Sequence, residues 1–580
     1  MSWKPQTADI AHALLDLTPF GRELDAGRFD GLERDLALAV LEEAGRFAAA
    51  EIAPLNRDGD IHGCTYDPAS RAVTTPPGWK AAYDAFVRAG WASAPGDAEH
   101  GGQGMPLALS LALQELWNTA SMAWGLGPLL TQGACETISR FAAPELKARY
   151  LPKMISGEWT GAMCLTEPQA GSDLSAIRTR AIPRPDGGFA IEGEKIFISY
   201  GEHDLTDNII HLVLARLPDA PAGTRGLSLF LVPKVSPEGA ANALYAAGLE
   251  HKMGIHGSPT ITLIFEGASG WLVGEANRGL HHMFTMMNHA RLHIGIQGVA
   301  VAERAFQKAR AFALERRQGR RAGRDGPVPI VEHPDVRRML LDAQVKIMAA
   351  RAICYDTAFN MDMSRLAGDE QTRRRAAARA ALLTPLAKAF GTDVGVEVAD
   401  AAIQVHGGMG YMEETGAAQL LRDARIAPIY EGTNGIQALD LVLRKITLDG
   451  GLALQRLLDE TAATVTALKE AGPLADLGER LAWALRAAGE ATRFMTAGLE
   501  ARDERPLAAA VPYLRLLSLL AGAAALSRSA LITGSARRAF LARHFAGSVL
   551  PETAGLKQRI MNSGGIAAPE ALEVLRAEEA

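Results

Sequence analysis

The spacing of apolar residues changes near Gly157, and this change constrains the fold of the chain more than any other feature. Before it, apolar residues recur at three- and four-residue spacing, as in Leu36–Ala50 and Leu107–Trp117, which indicates amphipathic helices. From there to about Gly274 the runs are short, β-rich and separated by turns, and helical spacing resumes at Gly279. Helices that enclose a strand-rich segment predict a mainly α protein with an inserted antiparallel β-domain.

The inserted segment contains four strand candidates, and a turn signal at residues 186–188 precedes the first of them; they are residues 188–201, 211–217, 227–234 and 260–267. Further helices are predicted from residue 292 and over residues 333–363, 369–405 and 434–446, and again from the turn at 448–451 to the C-terminus. This order divides the chain into an N-terminal helical domain, a middle β-domain, a C-terminal helical bundle and an extra helical extension, at residues 1–160, 161–278, 279–447 and 448–580.

Composition narrows the class of protein. A net charge of −6 over 580 residues is too small to indicate a polyanionic partner, so no nucleic acid is expected. The four cysteines are widely separated, which favours a reducing compartment. The longest apolar stretch, Leu516–Ser527, is shorter than the roughly 20 residues of a membrane span. We therefore expect a cytoplasmic protein without a secretory signal or membrane span, and a buried helix at this stretch.

Two segments near the β-domain have residues suited to ligand binding. The first, Cys164–Asp173, is a Pro/Gly turn that exposes N–H groups and hydroxyls able to hold a pyrophosphate or a flavin edge, unless it is an ordinary β-turn. In the second, Lys195–Gly201, strict alternation puts Phe197 and Ser199 on one face. An aromatic ring beside a hydroxyl suits a flat heteroaromatic ligand, and the alternative is a core Phe with a surface Ser.

Two further segments lie among the later helices. Three glycines in Gln404–Tyr411 permit close backbone approach to a ligand, or simply end a helix. In Tyr430–Gln437, Glu431 lies between an apolar approach and a glycine turn, where desolvation would raise the carboxylate pKa toward that of a general base. Alternatively, Glu431 only assists the next helix, for which Thr433 and Asn434 are candidate caps.

Together these segments resemble the acyl-CoA dehydrogenase family. The resemblance covers about residues 40–446 and includes HGGQG (100–104), YLPKMISGE (150–158), KMGIHGS (252–258) and VGEANRGL (273–280). It implies an α-helical domain, a β-barrel-like domain and a four-helix bundle. It also implies FAD bound between the β-domain and the helices with help from a neighbouring subunit, and hence a homodimer or homotetramer. Acyl-CoA would be the substrate and an electron-transferring flavoprotein the electron acceptor.

The resemblance also assigns cofactor-binding positions. Thr166 and Ser172 would contact flavin and pyrophosphate, and Phe197 and Ser199, where the family often has Trp and Thr, would lie near the isoalloxazine. The FAD phosphates and adenosine would be held by Arg316, Gln404, Gly408 and Thr433.

Glu431 matches the catalytic glutamate of the medium- and short-chain branches. Ala290 occupies the position of the base in other relatives and cannot serve as one. Asn288, at a position often held by Asp, and Arg291 would contact the CoA side of the substrate. Tyr430 and Gly432, on either side of Glu431, are assigned to the substrate as well.

The activity implied is FAD-dependent α,β-dehydrogenation of an acyl-CoA to the 2-enoyl-CoA, as in fatty acid metabolism. A leader of about 40 residues and a long extension resemble the enlarged bacterial branch that includes 3-methylmercaptopropionyl-CoA dehydrogenase and many fatty acyl-CoA dehydrogenases.

Three alternatives remain. An acyl-CoA oxidase shares these motifs. A DNA-associated alkylation-response flavoprotein of the same fold would need a strongly basic C-terminal block, whereas residues 451–580 hold 15 Lys and Arg against 14 Asp and Glu. A metal site at His289 and His293 is disfavoured, because the metalloprotease pattern is not present, and no metal is expected.

Overall fold

The β-rich segment forms one seven-stranded sheet in the computed structural model, which describes residues 3–29 and 31–577. A separate hairpin precedes it, made of β1 (Thr65–Asp67) and β2 (Ala72–Thr74). The strands of the sheet are β3 (Thr160–Cys164), β4 (Arg180–Pro183), β5 (Phe189–Ser199), β6 (Ile209–Arg216), β7 (Leu227–Pro233), β8 (Leu244–Leu249) and β9 (Thr260–Leu272). The four predicted strands correspond to β5, β6, β7 and β9.

The sheet closes on itself in a barrel-like ring, because β6, β4, β5, β9 and β7 pair in that order and β7 pairs again with β6. Most pairs are antiparallel, but β3 runs parallel to β6, from Thr160 opposite Ile209 to Cys164 opposite Val213. The sheet is therefore mixed, not wholly antiparallel as predicted. A hairpin forces antiparallel pairing, whereas the long connection between β3 and β6 contains β4 and β5 and permits the parallel direction.

The turn predicted before β5 is confirmed. Gly187 has a φ of 82°, and the Asp186 side chain accepts a hydrogen bond from the N–H of Gly188 at 3.0 Å. The N–H of Arg184 donates to the carbonyl of Gly188 at 2.8 Å and closes the β4–β5 hairpin. The strands β4 and β8 were not predicted, because they are short and mostly exposed or half-buried, so their apolar pattern is weak.

The residues group into two compact units, one from Glu43 to His293 and one with the described residues up to Glu42 and from Ile294 onward. The first unit contains the sheet and the helices Leu55–His62, Trp79–Arg88, Leu107–Ala120, Met122–Phe141 and Pro144–Ser156. Two helices extend across the boundaries, Arg34–Phe47 and Gly279–Glu315. The second unit contains the α-helices Thr7–Ala11, Phe20–Asp25, Pro334–Leu366, Glu370–His406, Gly408–Tyr411, Ala417–Ala424, Asn434–Asp440, Leu452–Glu470, Ala475–Glu500, Arg505–Ala508, Ala510–Thr533, Ala536–His544, Glu552–Met561, Gly564–Ala567 and Pro569–Arg576.

Two long helices of the second unit meet at glycines. Where Gly279–Glu315 crosses Glu370–His406, a Cβ on Gly391 would lie 2.4 Å from the carbonyl oxygen of Gly295. Only glycine permits such a close approach of two backbones. The crossing sets the position of the residues just before and after Gly391, which form part of the site below.

The extension after residue 450 packs on the long helices of its own unit. His544 bonds to Asp342 at 2.7 Å, and Arg379 donates to Glu460 at 2.8 Å. Ala510–Thr533 is apolar and long enough to cross a membrane, but 78% of its most apolar window is buried inside the protein. Such burial is that of a core helix, as predicted for Leu516–Ser527, and the mainly helical fold with a central β-domain is confirmed.

Candidate active site

The Cys164–Asp173 turn is organised around the buried carboxylate of Glu167. This carboxylate accepts hydrogen bonds from the Thr179 hydroxyl at 2.6 Å and from the buried Lys195 ammonium at 2.8 Å. Lys195 also donates to the carbonyl of Leu165 at 2.9 Å. Burial acts to raise the pKa of Glu167, but the Lys195 charge and the hydrogen bonds outweigh it and hold the pKa below its usual value. The buried bonds of Glu167 and Lys195 therefore fix the turn, while the residues on its outer side remain accessible to solvent.

Two predicted cofactor residues lie on the outside of this turn. Thr166 is half-buried and Ser172 is exposed. The carbonyl of Thr166 accepts a hydrogen bond from the N–H of Ile196 at 2.9 Å. That bond places Thr166 directly beside the segment that carries Phe197.

The strand segment at Phe197 departs from the regular alternation assumed from the sequence. The register with β9 shifts between Lys195 and Ile198, and Phe197 has a φ of 58°. A bulge at this point interrupts the alternation, but Phe197 and Ser199 both remain more exposed than Ile198, which lies between them. The alternative of a core Phe is excluded, since the Phe197 side chain is 60% exposed, while Ser199 is half-buried.

An exposed aromatic ring beside hydroxyls and a turn fits a ligand that joins a flat ring to phosphates. FAD is such a ligand. In the unit that contains the sheet, Thr166, Ser172, Phe197 and Ser199 offer the ring contact and polar groups it requires.

The Gly279–Glu315 helix begins with the residues predicted to contact CoA. Asn288 is exposed, whereas Arg291 is buried, with its Nη1 3.5 Å from the Asn288 Oδ1 and its Cζ 5.8 Å from the ring centroid of Phe284. Ala290 is buried between them and has no ionisable group. Arg291 is thus a buried arginine with an amide oxygen and an aromatic ring beside its guanidinium, and its contact with CoA remains a prediction.

His289 and His293 lie one turn apart on this helix with their rings stacked at a centroid distance of 4.0 Å. The Nδ1 of His293 donates to the carbonyl of His289 at 2.8 Å. Burial lowers the pKa of His293 well below its usual value, with a smaller effect from His289, so this imidazole is neutral. The pair is therefore part of a packed interior, and the expectation of no metal remains a prediction.

Glu431 lies in the second unit, on a turn between two helices. It is half-buried and has a φ of 55°, a backbone conformation that is strained for a residue with a side chain. The preceding Tyr430 hydroxyl donates to the buried Gln297 at 2.5 Å. Burial, and after it the Glu431 charge, raise the pKa of Tyr430, so the phenol stays neutral beside the carboxylate. The turn is thereby held on its N-terminal side.

On its C-terminal side the turn is held by Asn434 and the fully buried Lys388. The Lys388 ammonium donates to the carbonyl of Ala427 at 2.8 Å and to Asn434 Oδ1 at 2.9 Å. Asn434 Nδ2 donates in turn to Asp393 Oδ1 at 2.7 Å, and the Asn434 N–H donates to the carbonyl of Pro428 at 2.9 Å. These bonds fix both ends of the strained Glu431 turn. Such support is what holds a reactive group in place.

Of the two predicted caps, Thr433 acts as one. Its hydroxyl accepts a hydrogen bond from the N–H of Ile436 at 3.2 Å and caps the Asn434–Asp440 helix. Asn434 is not a cap, because its side chain is committed to Lys388 and Asp393.

The remaining cofactor candidates lie at two helix ends that are tied together. Phe312 and His406 stack at a centroid distance of 4.4 Å. Arg316 lies one turn after Phe312, and Gln404 and Gly408 flank His406; all three are exposed. The stacking therefore brings two predicted phosphate- or adenosine-binding segments to neighbouring positions of this unit.

Sequence reasoning missed the residues that support the site, above all Lys195, Lys388 and Asp393. A signal existed for Lys388, since it is the lone charge in the apolar stretch from Leu382 to Phe390. A charge at such a place is buried with partners or not at all. The partners themselves are distant in sequence.

Known proteins match the whole length of this architecture. The acyl-CoA dehydrogenase N-terminal, middle and C-terminal domains match residues 35–158, 162–268 and 277–446. A domain described as acetyl-CoA dehydrogenase C-terminal like matches residues 457–568. The extension is therefore a recurrent domain as well.

Individual relatives agree with these domains. A 3-methylmercaptopropionyl-CoA dehydrogenase from Ruegeria pomeroyi is 45% identical, covering 97% of this chain and 99% of its own. A butyryl-CoA dehydrogenase from Syntrophomonas wolfei is 39% identical over 70% of both chains. The crystal structure of Caenorhabditis elegans ACDH-11 in complex with C11-CoA has a TM-score of 0.79 at 20% identity, covers 94% of this chain and 91% of its own, and shows the same fold.

Proposed function

The chain belongs to the acyl-CoA dehydrogenase family of FAD-dependent oxidoreductases, as its motifs predicted, and from that premise we propose that it dehydrogenates an acyl-CoA to the 2-enoyl-CoA with Glu431 as the base. The observation that carries the proposal is the Glu431 turn. It presents a half-buried carboxylate on a strained backbone whose two ends are bonded to buried side chains.

The role of Glu431 follows from what the substrate requires. The α C–H of a thioester is a weak acid, so a positioned carboxylate must take its proton as the carbonyl is polarised. We assign polarisation of the carbonyl to the backbone N–H of Glu431 and proton removal to its side chain. Bound FAD would accept the hydride from the β-carbon. Ala290 has no proton acceptor, which leaves Glu431 as the base.

The other predicted residues are assigned by the groups they expose. Thr166, Ser172, Phe197 and Ser199 would hold the flavin and pyrophosphate, and Arg316, Gln404, Gly408 and Thr433 the rest of FAD. Asn288, Arg291, Tyr430 and Gly432 would contact the acyl-CoA.

For the substrate, we propose 3-methylmercaptopropionyl-CoA first, supported by the named activity of the Ruegeria pomeroyi relative, and a fatty acyl-CoA second. The electron acceptor would be an electron-transferring flavoprotein in the cytoplasm, and the active form a homodimer or homotetramer.

The test is anaerobic bleaching of the oxidised flavin by a panel of acyl-CoAs that includes the methylthio-propionyl thioester. Glu431→Gln should keep bound FAD and lose bleaching by every thioester, because the amide cannot accept the α-proton. The matched control is Glu490→Gln, an exposed glutamate paired with Lys557 on the extension, which should bleach at the wild-type rate. Bleaching that persists in Glu431→Gln would show that another group is the base.

Oxygen distinguishes the oxidase alternative. After bleaching, a dehydrogenase should regain its flavin colour slowly in air and rapidly with an electron-transferring flavoprotein. Rapid recovery in air alone would make the protein an oxidase.

A further inference from the structure

Arg515, on the Ala510–Thr533 helix of the C-terminal extension, packs against the helix whose Asp393 bonds to Asn434 beside the Glu431 turn. Its guanidinium Nη1 lies 2.9 Å from Glu397, and its Nε lies 3.2 Å from Glu552. Its Cζ lies 5.1 Å from the ring centroid of Phe390. The side chain of Arg515 is only 13% exposed, so these contacts are made largely out of water.

Two contacts of Arg515, Phe390 and Glu397, fall on one face of the Glu370–His406 helix, and Glu552 lies on another helix of the extension. Phe390, Asp393 and Glu397 follow each other at spacings of three and four residues and so share a face. Two of them are carboxylates one helical turn apart, and like charges at this spacing repel. The positive charge of Arg515 offsets that repulsion.

Asp393 is the member of this face that reaches the Glu431 turn. It accepts the 2.7 Å hydrogen bond from Asn434, which begins the helix directly after the turn. The charged groups that act electrostatically on Asp393 are Lys388 and Glu397 on its own helix and Arg515 on the extension. Burial raises the pKa of Asp393 above its ordinary value, and Arg515 is the strongest of the groups that oppose this rise.

We infer that Arg515 is a positioning residue for Glu431: packed against Phe390 and Glu397, one turn before and one turn after Asp393, it favours the charged carboxylate that bonds Asn434 and so steadies the turn that presents the base. The inference rests on the proposed role of Glu431. It assigns to the extension a part in the reaction although none of the extension's residues is a predicted site residue. Protonation of Asp393 would weaken its bond to the Asn434 amide, since a carboxylate accepts more strongly than a carboxylic acid.

The experiment measures single-turnover flavin bleaching, acyl-CoA affinity and thermal unfolding of the holoenzyme. Arg515→Met should slow bleaching about 10- to 100-fold, the loss expected when a reacting group is displaced by about 1 Å. FAD content and the acyl-CoA dissociation constant should stay at wild-type values. The slowing should increase as the pH falls, because without Arg515 the carboxyl of Asp393 is protonated at a higher pH. Arg515→Lys, which keeps the charge, should restore most of the rate.

The matched control is Arg379→Met. Arg379 also joins the long helices to the extension, through 2.7 Å and 2.8 Å bonds to Asp356 and Glu460. It lies on the same helix as Asp393 but about 21 Å along it, at 1.5 Å per residue. This variant should lose thermal stability and keep both the wild-type bleaching rate and its pH profile.

Equal slowing in Arg515→Met and Arg379→Met, or an unchanged pH profile in Arg515→Met, would overturn the inference. If Arg515→Met does not fold, Arg515→Gln takes its place, and a wild-type rate in that variant overturns the inference equally. If none of the acyl-CoAs bleaches the flavin of the wild-type enzyme, the proposed function itself is refuted.

Discussion

Two buried lysines support the two halves of the predicted site in different ways. Lys195, in the unit with the sheet, contacts a carboxylate directly, that of Glu167 at 2.8 Å. Lys388, in the helical unit, donates to the carbonyl of Ala427 and the amide oxygen of Asn434, and Asn434 in turn bonds to Asp393. The charge of Lys195 is therefore balanced by a carboxylate in direct contact, whereas the amide of Asn434 lies between Lys388 and the carboxylate of Asp393.

The difference shows how much of the protein each loop depends on. The bonds described for the Cys164–Asp173 turn come from Thr179, Lys195 and Ile196, which all belong to the β-domain. The Glu431 turn needs the Glu370–His406 helix, the following helix and, through Arg515, the extension. The loop proposed to carry the base is therefore supported by a larger part of the chain than the loop proposed to hold the cofactor.

The largest loss of stability should come from breaking the ion pair between Lys195 and Glu167. Lys195→Met leaves Glu167 buried without its counter-charge, which should lower the free energy of unfolding by about 3–5 kcal/mol. FAD content should fall as well, because the turn with Thr166 and Ser172 loses its anchor. Chemical denaturation measures the free energy of unfolding, and flavin absorbance measures the FAD content. Lys153→Met removes an exposed lysine that pairs with Glu158, and should change neither.

Removing the bonds of Lys388 should destabilise the protein less than removing those of Lys195, but should slow the reaction more. Lys388→Met leaves neutral acceptors unpaired, which should lower the free energy of unfolding by about 1–3 kcal/mol. Bleaching by acyl-CoA should slow while FAD content is kept, the reverse of Lys195→Met. Were both lysine variants to lose FAD and activity together, the distinction between the two loops would fail.

Removing a helix cap beside Glu431 should have a smaller effect. Thr433→Ala loses the bond to the N–H of Ile436 and should lower the free energy of unfolding by about 1 kcal/mol. Thr433→Ser keeps the hydroxyl and should match the wild type in the same denaturation experiment. A full loss with serine would mean that the methyl group, not the cap, matters.

The smallest expected effect is the contribution of Glu167 to the pH dependence of the unfolding free energy. The folded-state pKa of Glu167 is held below its ordinary value of 4.5, so its stabilising contribution is complete above that pH and is lost as the pH falls through the folded value. Glu167→Gln should therefore show a shallower loss of unfolding free energy below pH 4.5 than the wild type. An identical slope would mean that Glu167 does not titrate differently in the folded state.

Local pattern predicted much of the fold. The four strands β5, β6, β7 and β9 and the long helices were visible, because side-chain burial repeats every two residues in a strand and every three or four in a helix. The parallel direction of β3 and the bulge at Phe197 were not, because both depend on which strand lies alongside. The regular alternation assumed for Phe197 and Ser199 is interrupted for that reason, and the exposure of Phe197 suits the ring contact that was predicted for it.

The sequence by itself determined the family, the helix–β–helix order and the candidate residues, including Glu431, since these are properties of short segments and their spacing. Only the tertiary structure decided what holds those residues in place. Lys195 lies 28 positions from Glu167, and Lys388 lies 46 positions from Asn434. Their partnerships arise when distant segments pack and exclude water, so that a buried charge or amide is stable only beside its partner.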